Sequence, residues 1–359
     1  MRILILDTCY PEFLASHYAG RPGLEGRPYS EQWRSIMDMG FGTSDAYSHF
    51  LSALGHDAHE VIVNCRPLQL AWSAERGIRT RPSPFRSAQR RMVETVVAQI
   101  DAYDPDVVYV QDLRAFDPGE LRAFRGRNRL LVGQLGTEPP DRDRLNSFDL
   151  ITTCLPQFVP WLRSTGIDAE LLRIGFDPRM LERVAVGERE GVVFVGSLLR
   201  PRWQQSIDRI AAAAEDVEID FYGYGAETWA ETSPVRRRYR GEAWGLDMCR
   251  VLARSQIALN RHGDIAGEFA TNMRLYEATG MGTLLITDDK SNLGELFEVG
   301  SEVVAYRTAD ELVAKIRYFL THDDERAKVA EAGQRRTLAS HSYQVRMREL
   351  SAILLPRLG

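Results

Sequence analysis

The residues most able to do chemistry lie close together in the second half of this 359-residue chain. Asn260-Arg261-His262-Gly263-Asp264 is followed by Glu268 and then by Asn272-Met273-Arg274-Leu275-Tyr276-Glu277. The apolar run before them reads as a strand, and the pattern after it reads as a helix over 272–279 closed by Gly280. The first turn of a helix carries N–H groups without intrahelical partners and positive dipole density, which suits an anionic phosphate. Arg274 would add a guanidinium. Glu277, a turn further on, has two oxygens able to accept from a pair of neighbouring hydroxyls. The same letters also fit a plain helix, in which Asn272 is the cap and Arg274 with Glu277 is an i,i+3 surface pair. His262 and Glu268 are the groups here that could move a proton.

Two other stretches offer related chemistry. In Val193-Phe194-Val195-Gly196-Ser197, a glycine directly after a strand lets backbone approach a ligand closely. Arg200 and Arg202 follow, and an arginine at that distance can grip phosphate oxygens in a fork. Otherwise the segment is a tight turn leading into a solvated Arg-Pro-Arg. Arg236-Arg237-Arg238-Tyr239-Arg240-Gly241 either lines a pocket for an anion or forms a solvated face. With net charge −5, from 45 basic and 50 acidic side chains, the chain has no general attraction to nucleic acid or anionic membrane.

Elements must hold these groups in place. Short apolar runs at 3–6, 59–63, 107–110, 130–133 and 150–153 read as strands, with helices predicted over 44–54 and 89–103. A second series gives strands at 192–195, 218–222, 257–260 and 283–287, and helices at 204–214, 246–255, 272–279 and 310–321. Continuous Val/Ile/Leu strands separated by helices imply parallel sheets covered on both faces. Two α/β units follow, with a charged, Gly- and Pro-containing seam over 173–190. Ligands of such sheets sit outside the carboxyl ends of the strands, so the residues just after strands are the ones to watch.

Composition narrows the class. Hydrophobic residues make up 44% and charged residues 26%, which excludes disorder and coiled coil. No run approaches the ~18 apolar residues of a membrane span. The four cysteines, Cys9, Cys65, Cys154 and Cys249, form no CxxC pair, so neither a zinc site nor a disulfide framework is expected. A reducing, cytoplasmic setting is the expectation. Asp104-Pro105-Asp106 and Asp141-Arg142-Asp143 match a bare Asp-x-Asp pattern, but the first pair immediately precedes a strand and reads as a turn.

The Phe194–Ser197 turn with Arg202, and the run from Asn260-Arg261-His262 through Asn272-Met273-Arg274-Leu275-Tyr276-Glu277-Ala278-Thr279-Gly280 to Leu284-Leu285-Ile286-Thr287-Asp288, resemble the CgeB-like glycosyltransferases, a branch of the GT-B superfamily near family 4. Asp104–Asp112 and Gly175-Phe176-Asp177-Pro178 are similar to family segments in the first half. The resemblance implies an α/β GT-B fold, with two Rossmann-like domains facing each other across a cleft. Residues 1–175 would bind the acceptor and 190–340 the nucleotide sugar. Residues 341–359 would form a helix packing back on the first domain.

The activity implied is metal-independent, retaining transfer of a hexosyl group from a nucleoside-diphosphate donor, with no further cofactor. By that carry-over Glu277 binds the donor ribose, and Asn272, Met273 and Arg274 meet the diphosphate. Gly196, Ser197 and Arg202 assist there, while Tyr239, Arg240 and Gly241 flank the base. The catalytic candidates are His262, Glu268 and Arg274. The family's two glutamates have seven residues between them, whereas eight separate Glu268 from Glu277. On the acceptor side the long connection over 7–43 supplies aromatics able to stack on a sugar ring. Tyr10, His17, Trp33 and Asp45 are the candidates, Asp45 standing where the third glycine of a dinucleotide fingerprint would follow Gly40 and Gly42. The partners expected are the donor and an unidentified acceptor, without nucleic acid or stable membrane insertion; a homodimer is compatible with the sequence. Two other readings stay open: a nucleotide-sugar isomerase or epimerase on the same fold, and a non-catalytic nucleotide-sugar-binding protein.

Overall fold

The computed structural model describes residues 1–78, 87–126 and 129–358, and for 200–206 it describes the backbone alone. The chain divides into two units, Met1–Arg173 together with Met347–Gly359, and Ile174–Arg346.

In the first unit β1 (Arg2–Asp7), β2 (Asp57–Ile62), β3 (Val107–Val110), β4 (Leu130–Leu135), β5 (Leu150–Thr153) and β6 (Ala169–Leu171) make one sheet in the order β2-β1-β3-β4-β5-β6. Every pairing is parallel. β3 and β5 are buried at each position, as strands covered on both faces must be. The order reverses between β1 and β3, so this sheet has a topological switch point there.

The connection after β1 is more regular than its sequence suggests. Helices Pro11–Ala19 and Tyr29–Met37 fill about half of it, although only 30–39 carries a readable helical pattern. Buried Gln32 organises this part. Its amide donates to the carbonyls of Glu25 and Arg27, and its oxygen accepts from the Tyr18 hydroxyl. Gly40 and Gly42 form the expected turn, both with positive φ. The two Asp-x-Asp pairs hold up the fold. Asp104 ends the Ala88–Tyr103 helix in a left-handed conformation, and Asp106 accepts from the Arg2 N–H at 2.7 Å. Asp141 caps the helix Arg142–Leu145. At the other end of the chain, Ser351 meets His56 at 2.8 Å and Arg357 bonds Asp168 and Glu170.

The second unit contains β7 (Val192–Val195), β8 (Asp220–Tyr222), β9 (Ile257–Asn260), β10 (Leu284–Asp288) and β11 (Val304–Tyr306), again wholly parallel, in the order β11-β10-β9-β7-β8. Read from β7, this is a doubly wound sheet whose switch point lies between β7 and β9. Residues 174–190 are packed into this unit. Phe176, Met180 and Val184 are buried, and the Arg189 guanidinium donates to the carbonyls of Leu252, Ser255 and Met281 and to the Thr283 hydroxyl. The helix Met273–Gly280 begins at Asn272, whose Oδ1 accepts from the Leu275 N–H at 3.2 Å. Among the described residues no helix is long and apolar enough to cross a membrane.

Glu60, in β2, is 1% exposed and meets the Ser48 N–H at 2.7 Å through one oxygen; the other oxygen has no partner among the described residues. Burial pushes its carboxyl up to about 8 against the Ser48 hydrogen bonds, with Asp45 adding to the rise. Between about 4.5 and 8 the folded chain therefore keeps a proton that the unfolded chain has released. Stability must fall as pH rises through that window. Glu60→Gln removes the titration. Its unfolding free energy should fall less than that of the natural chain from pH 5 to 8, and exceed it by more than about 1 kcal/mol at pH 8, read by denaturant titration at several pH values.

Candidate functional site

At the switch point of the second sheet, two arginines reach the end of β7 from the β9 side. Arg261, just after β9, donates from Nη2 to the Ser197 carbonyl at 2.8 Å and lies over the Phe194 ring at 5.8 Å. Arg274, in the helix Met273–Gly280, donates from Nε to the Val195 carbonyl at 3.1 Å, while Nη1 meets the Met248 sulfur. The loop between them is fixed by an asparagine pair. Asn260 and Asn272 exchange amide hydrogen bonds at 2.8 and 3.2 Å, Asn272 donates to the Arg261 carbonyl, and Asn260 donates to Thr287 in β10.

Arg274 and Glu277 form the i,i+3 ion pair at 2.8 Å, but not on the surface: each side chain is 14% exposed. Burial pushes the Glu277 carboxyl up, and the Arg274 charge opposes it. A half-paired, desolvated carboxylate beside a helix N-terminus is a good acceptor for a vicinal diol. Arg261 is also desolvated, which lowers its pKa, with Tyr306, Asp288 and Asp264 working the other way.

The backbone after β7 is drawn tight. Gly196 donates to the Tyr222 carbonyl, and Leu198 donates to that of Tyr224. Gly223, at φ +137°, lies so close to Gly196 that a Cβ there would come within 1.9 Å of its carbonyl oxygen. Beyond β8, Tyr224 and Trp244 stack at 5.9 Å with planes 11° apart. This aromatic pair was not legible in the sequence, because nineteen residues separate its members.

His262 and Asp288 stand at the ends of β9 and β10. Asp288 Oδ1 accepts from the His262 backbone N–H at 3.0 Å and meets its Nδ1 at 2.7 Å, with Lys290 3.5 Å from the other oxygen. Burial alone would raise Asp288, but the His262 contacts and Lys290 outweigh it and hold the carboxyl below the usual range. Glu268 is exposed; its carbonyl accepts from the backbone and hydroxyl of Ser291. Met273 is half-buried at the helix start.

Arg236–Gly241 lies along β8. Arg240 donates to the Phe221 carbonyl and Gly241 accepts from Gly223, which places Tyr239 half-buried against the core. The charges there are answered locally: Arg237 by Glu215, Arg238 by Glu218 and Asp220, and Arg240 by Asp220. Arg202 lies outside the described side chains.

The four acceptor-side candidates stand apart in the first unit. Tyr10 is 51% exposed with its ring edge on Phe41. His17 is buried, with Nε2 on Ser35. Trp33 turns inward, donating to the Glu60 carbonyl and stacking on His59. Asp45 begins the helix Ala46–Ala53. At this sheet's own switch point stand Asp7 and Thr8, at the end of the first strand and just after it, with Gln111 and Asp112 of the family-like segment. The Thr8 hydroxyl donates to Asp112 at 3.0 Å, and Gln111, with its amide turned so that the nitrogen faces Asp7, donates to that carboxylate at 2.8 Å. Burial pushes Asp7 up to about 7, opposed by the Thr8 N–H and reinforced by Asp112.

Residues 200–352 match the family model described as glycosyl transferase-like. No curated protein matches the chain. Among solved structures it is similar to HepE of Anabaena in complex with UDP-glucose, at 15% identity over 99% of both chains with a TM-score of 0.63. Sucrose-phosphate synthase of Thermosynechococcus elongatus aligns at 12% identity, TM-score 0.59, over 99% of this chain and 98% of that one. A UDP-N-acetylglucosamine 2-epimerase, so described for Listeria monocytogenes, aligns at 14% identity, TM-score 0.55, over 98% and 95%. The chain thus has the GT-B fold, with two parallel-sheet, Rossmann-like units, and its second unit carries a glycosyl transferase-like domain.

The tight approach at β7 makes a specific expectation. Gly223→Ala should destabilise the protein by more than about 2 kcal/mol, because strain and a backbone clash coincide. Gly241→Ala, at φ +99° with open space around it, should cost only about 1 kcal/mol. Paired thermal or urea melts decide between them.

Proposed function

We propose that the chain is a nucleotide-sugar-dependent glycosyltransferase that moves a hexosyl group from a nucleoside diphosphate to an unidentified acceptor. The observation that carries the reading is the meeting of Arg261, Arg274, Glu277 and a helix N-terminus at the β7–β9 switch point. The glycosyl transferase-like match over 200–352 covers Arg261, Arg274 and Glu277 and supports it, as does the fold shared with HepE, whose structure was determined with UDP-glucose.

Breaking the anomeric C–O bond leaves an added negative charge on the departing diphosphate. In this reading Arg274 and the first-turn N–H groups of the Met273–Gly280 helix take that charge, with Arg261 beside them, and no metal is required. Glu277 exchanges part of its bond to Arg274 for the ribose hydroxyls. The Trp244 and Tyr224 rings supply a stacking surface for the base, close to Gly241. Transfer with retention and a CgeB-like identity belong to the same reading. The carboxyl edge of the first sheet, with Asp7, Thr8, Gln111 and Asp112, would meet the acceptor. Four cysteines without disulfides support a cytoplasmic setting.

Glu277→Ala and Arg274→Met test it. Both should keep the native circular dichroism spectrum, weaken nucleoside-diphosphate binding about tenfold by calorimetry, and lower kcat/KM for transfer by roughly a hundredfold. Titration of the natural chain with UDP-, GDP- and dTDP-sugars names the base. A chain that converts donor with no acceptor present is an isomerase instead, and one that binds donors but never releases the diphosphate is a binding protein.

A further inference from the structure

His262 carries an atom that the fold leaves unused. Its side chain is 0% exposed, and Nε2 has no hydrogen-bond partner among the described residues. The other ring nitrogen is committed: Nδ1 lies 2.7 Å from Asp288 Oδ1, which also takes the His262 backbone N–H, and Thr287 donates to the same oxygen. A carboxylate so placed, with Lys290 on its second oxygen, keeps the proton on Nδ1. In the neutral ring Nε2 is then a lone pair without a donor among the described residues. A buried acceptor left unmade costs about 1–3 kcal/mol, so its presence needs a reason.

The position supplies one. His262 directly follows Arg261 on the loop that closes the switch point, and Asn272 fixes that loop ten residues on by bonding the Arg261 carbonyl. The segment after His262 is held to the β10 end by replaceable contacts. Lys290 donates to the Gly267 carbonyl, Ser291 donates to that of Glu268, and Asn292 pairs with the Ala270 backbone. Asp264, Gly267 and Glu268 are exposed while Ala266 and Ala270 are buried, so a sugar would reach Nε2 by displacing only the exposed outer part of this segment.

We propose that His262 is a specificity-determining residue: Nε2 accepts a hydroxyl of the sugar carried by the nucleotide, and Asp288 is the positioning residue that fixes the tautomer able to do so. This rests on the nucleotide-sugar reading of the site. It assigns His262 to recognition of the sugar rather than of the diphosphate, which needs donors or cations and not a lone pair.

The test separates the sugar from the nucleotide. Calorimetry on the full chain measures Kd for UDP and UDP-glucose, and for GDP and GDP-glucose, in the natural protein, His262→Phe and His262→Gln. His262→Phe fills the volume without an acceptor. It should bind the free diphosphate within about twofold of the natural chain and the nucleotide sugar at least tenfold more weakly, a loss of about 1.4 kcal/mol. His262→Gln, with an amide oxygen near the Nε2 position, should recover most of that loss. If His262→Phe does not fold, Asp288→Asn carries the test: it unpins the tautomer and should weaken the nucleotide sugar but not the diphosphate. Equal losses for diphosphate and sugar, or no loss for either, overturn the assignment while leaving the nucleotide site standing. A natural chain that binds none of the four ligands, nor dTDP or dTDP-glucose, overturns the site reading itself, and this assignment with it.

Discussion

Two guanidinium groups reach the carboxyl end of β7, and the geometry of the candidate site depends on them. A parallel strand ends with carbonyls that have no further strand to pair with, and at a switch point the neighbouring connections diverge, which leaves a gap. Arg261 and Arg274 bridge that gap by donating to Ser197 and Val195. Each keeps other N–H groups in a partly desolvated setting, where charge acts through a lower dielectric than water. The same interaction that satisfies the strand end therefore concentrates positive charge where the fold opens.

Glu277 belongs to this balance. A carboxylate at 14% exposure would be costly alone, and Arg274 at 2.8 Å offsets much of that cost. The pair sits on one helix face because positions three apart adjoin. Asn272 sets where that helix starts, so its cap decides whether Arg274 reaches Val195 at all. Cap, arginine and glutamate thus act as one unit, and the asparagine exchange with Asn260 ties the unit to β9.

How much of this could be read beforehand varies with physical cause. Buried strands such as Val107–Val110 and Val192–Val195 are legible because both faces are covered and every residue is apolar. The edge strands Ala169–Leu171 and Val304–Tyr306 are three residues long, too short to show a period. The helix Asp323–Ser340 escaped because its buried seam uses small or polar residues, Ala330, Gly333 and Thr337, beside Val329. At the site, Asn272, Arg274 and Glu277 were legible because one helix carries them. Asp288 and the Tyr224–Trp244 stack were not, since each meets its partner only through sheet pairing or loop return. Trp33 and His17 misdirect for the opposite reason: an aromatic or imidazole in a long connection looks available, yet His17 is spent on Ser35 and Trp33 on the Glu60 carbonyl.

The two sheets repeat one topology and carry opposite charge at the corresponding place. In each, the first strand is flanked by the second and third, and residues following the first and third strands meet. In the second unit those residues are Ser197 and Arg261, with Arg274 behind them. In the first they are Thr8 and Asp112, with Asp7 beside them. A diphosphate would be favoured at the former edge and disfavoured at the latter, where Asp112 adds to the rise of the Asp7 carboxyl. A neutral, hydroxyl-rich molecule faces no such penalty at the acidic edge and finds acceptors there. Charge alone would therefore distinguish an anionic ligand from a neutral, hydroxyl-bearing one between two sheets of the same topology, before any contact specific to either molecule is made.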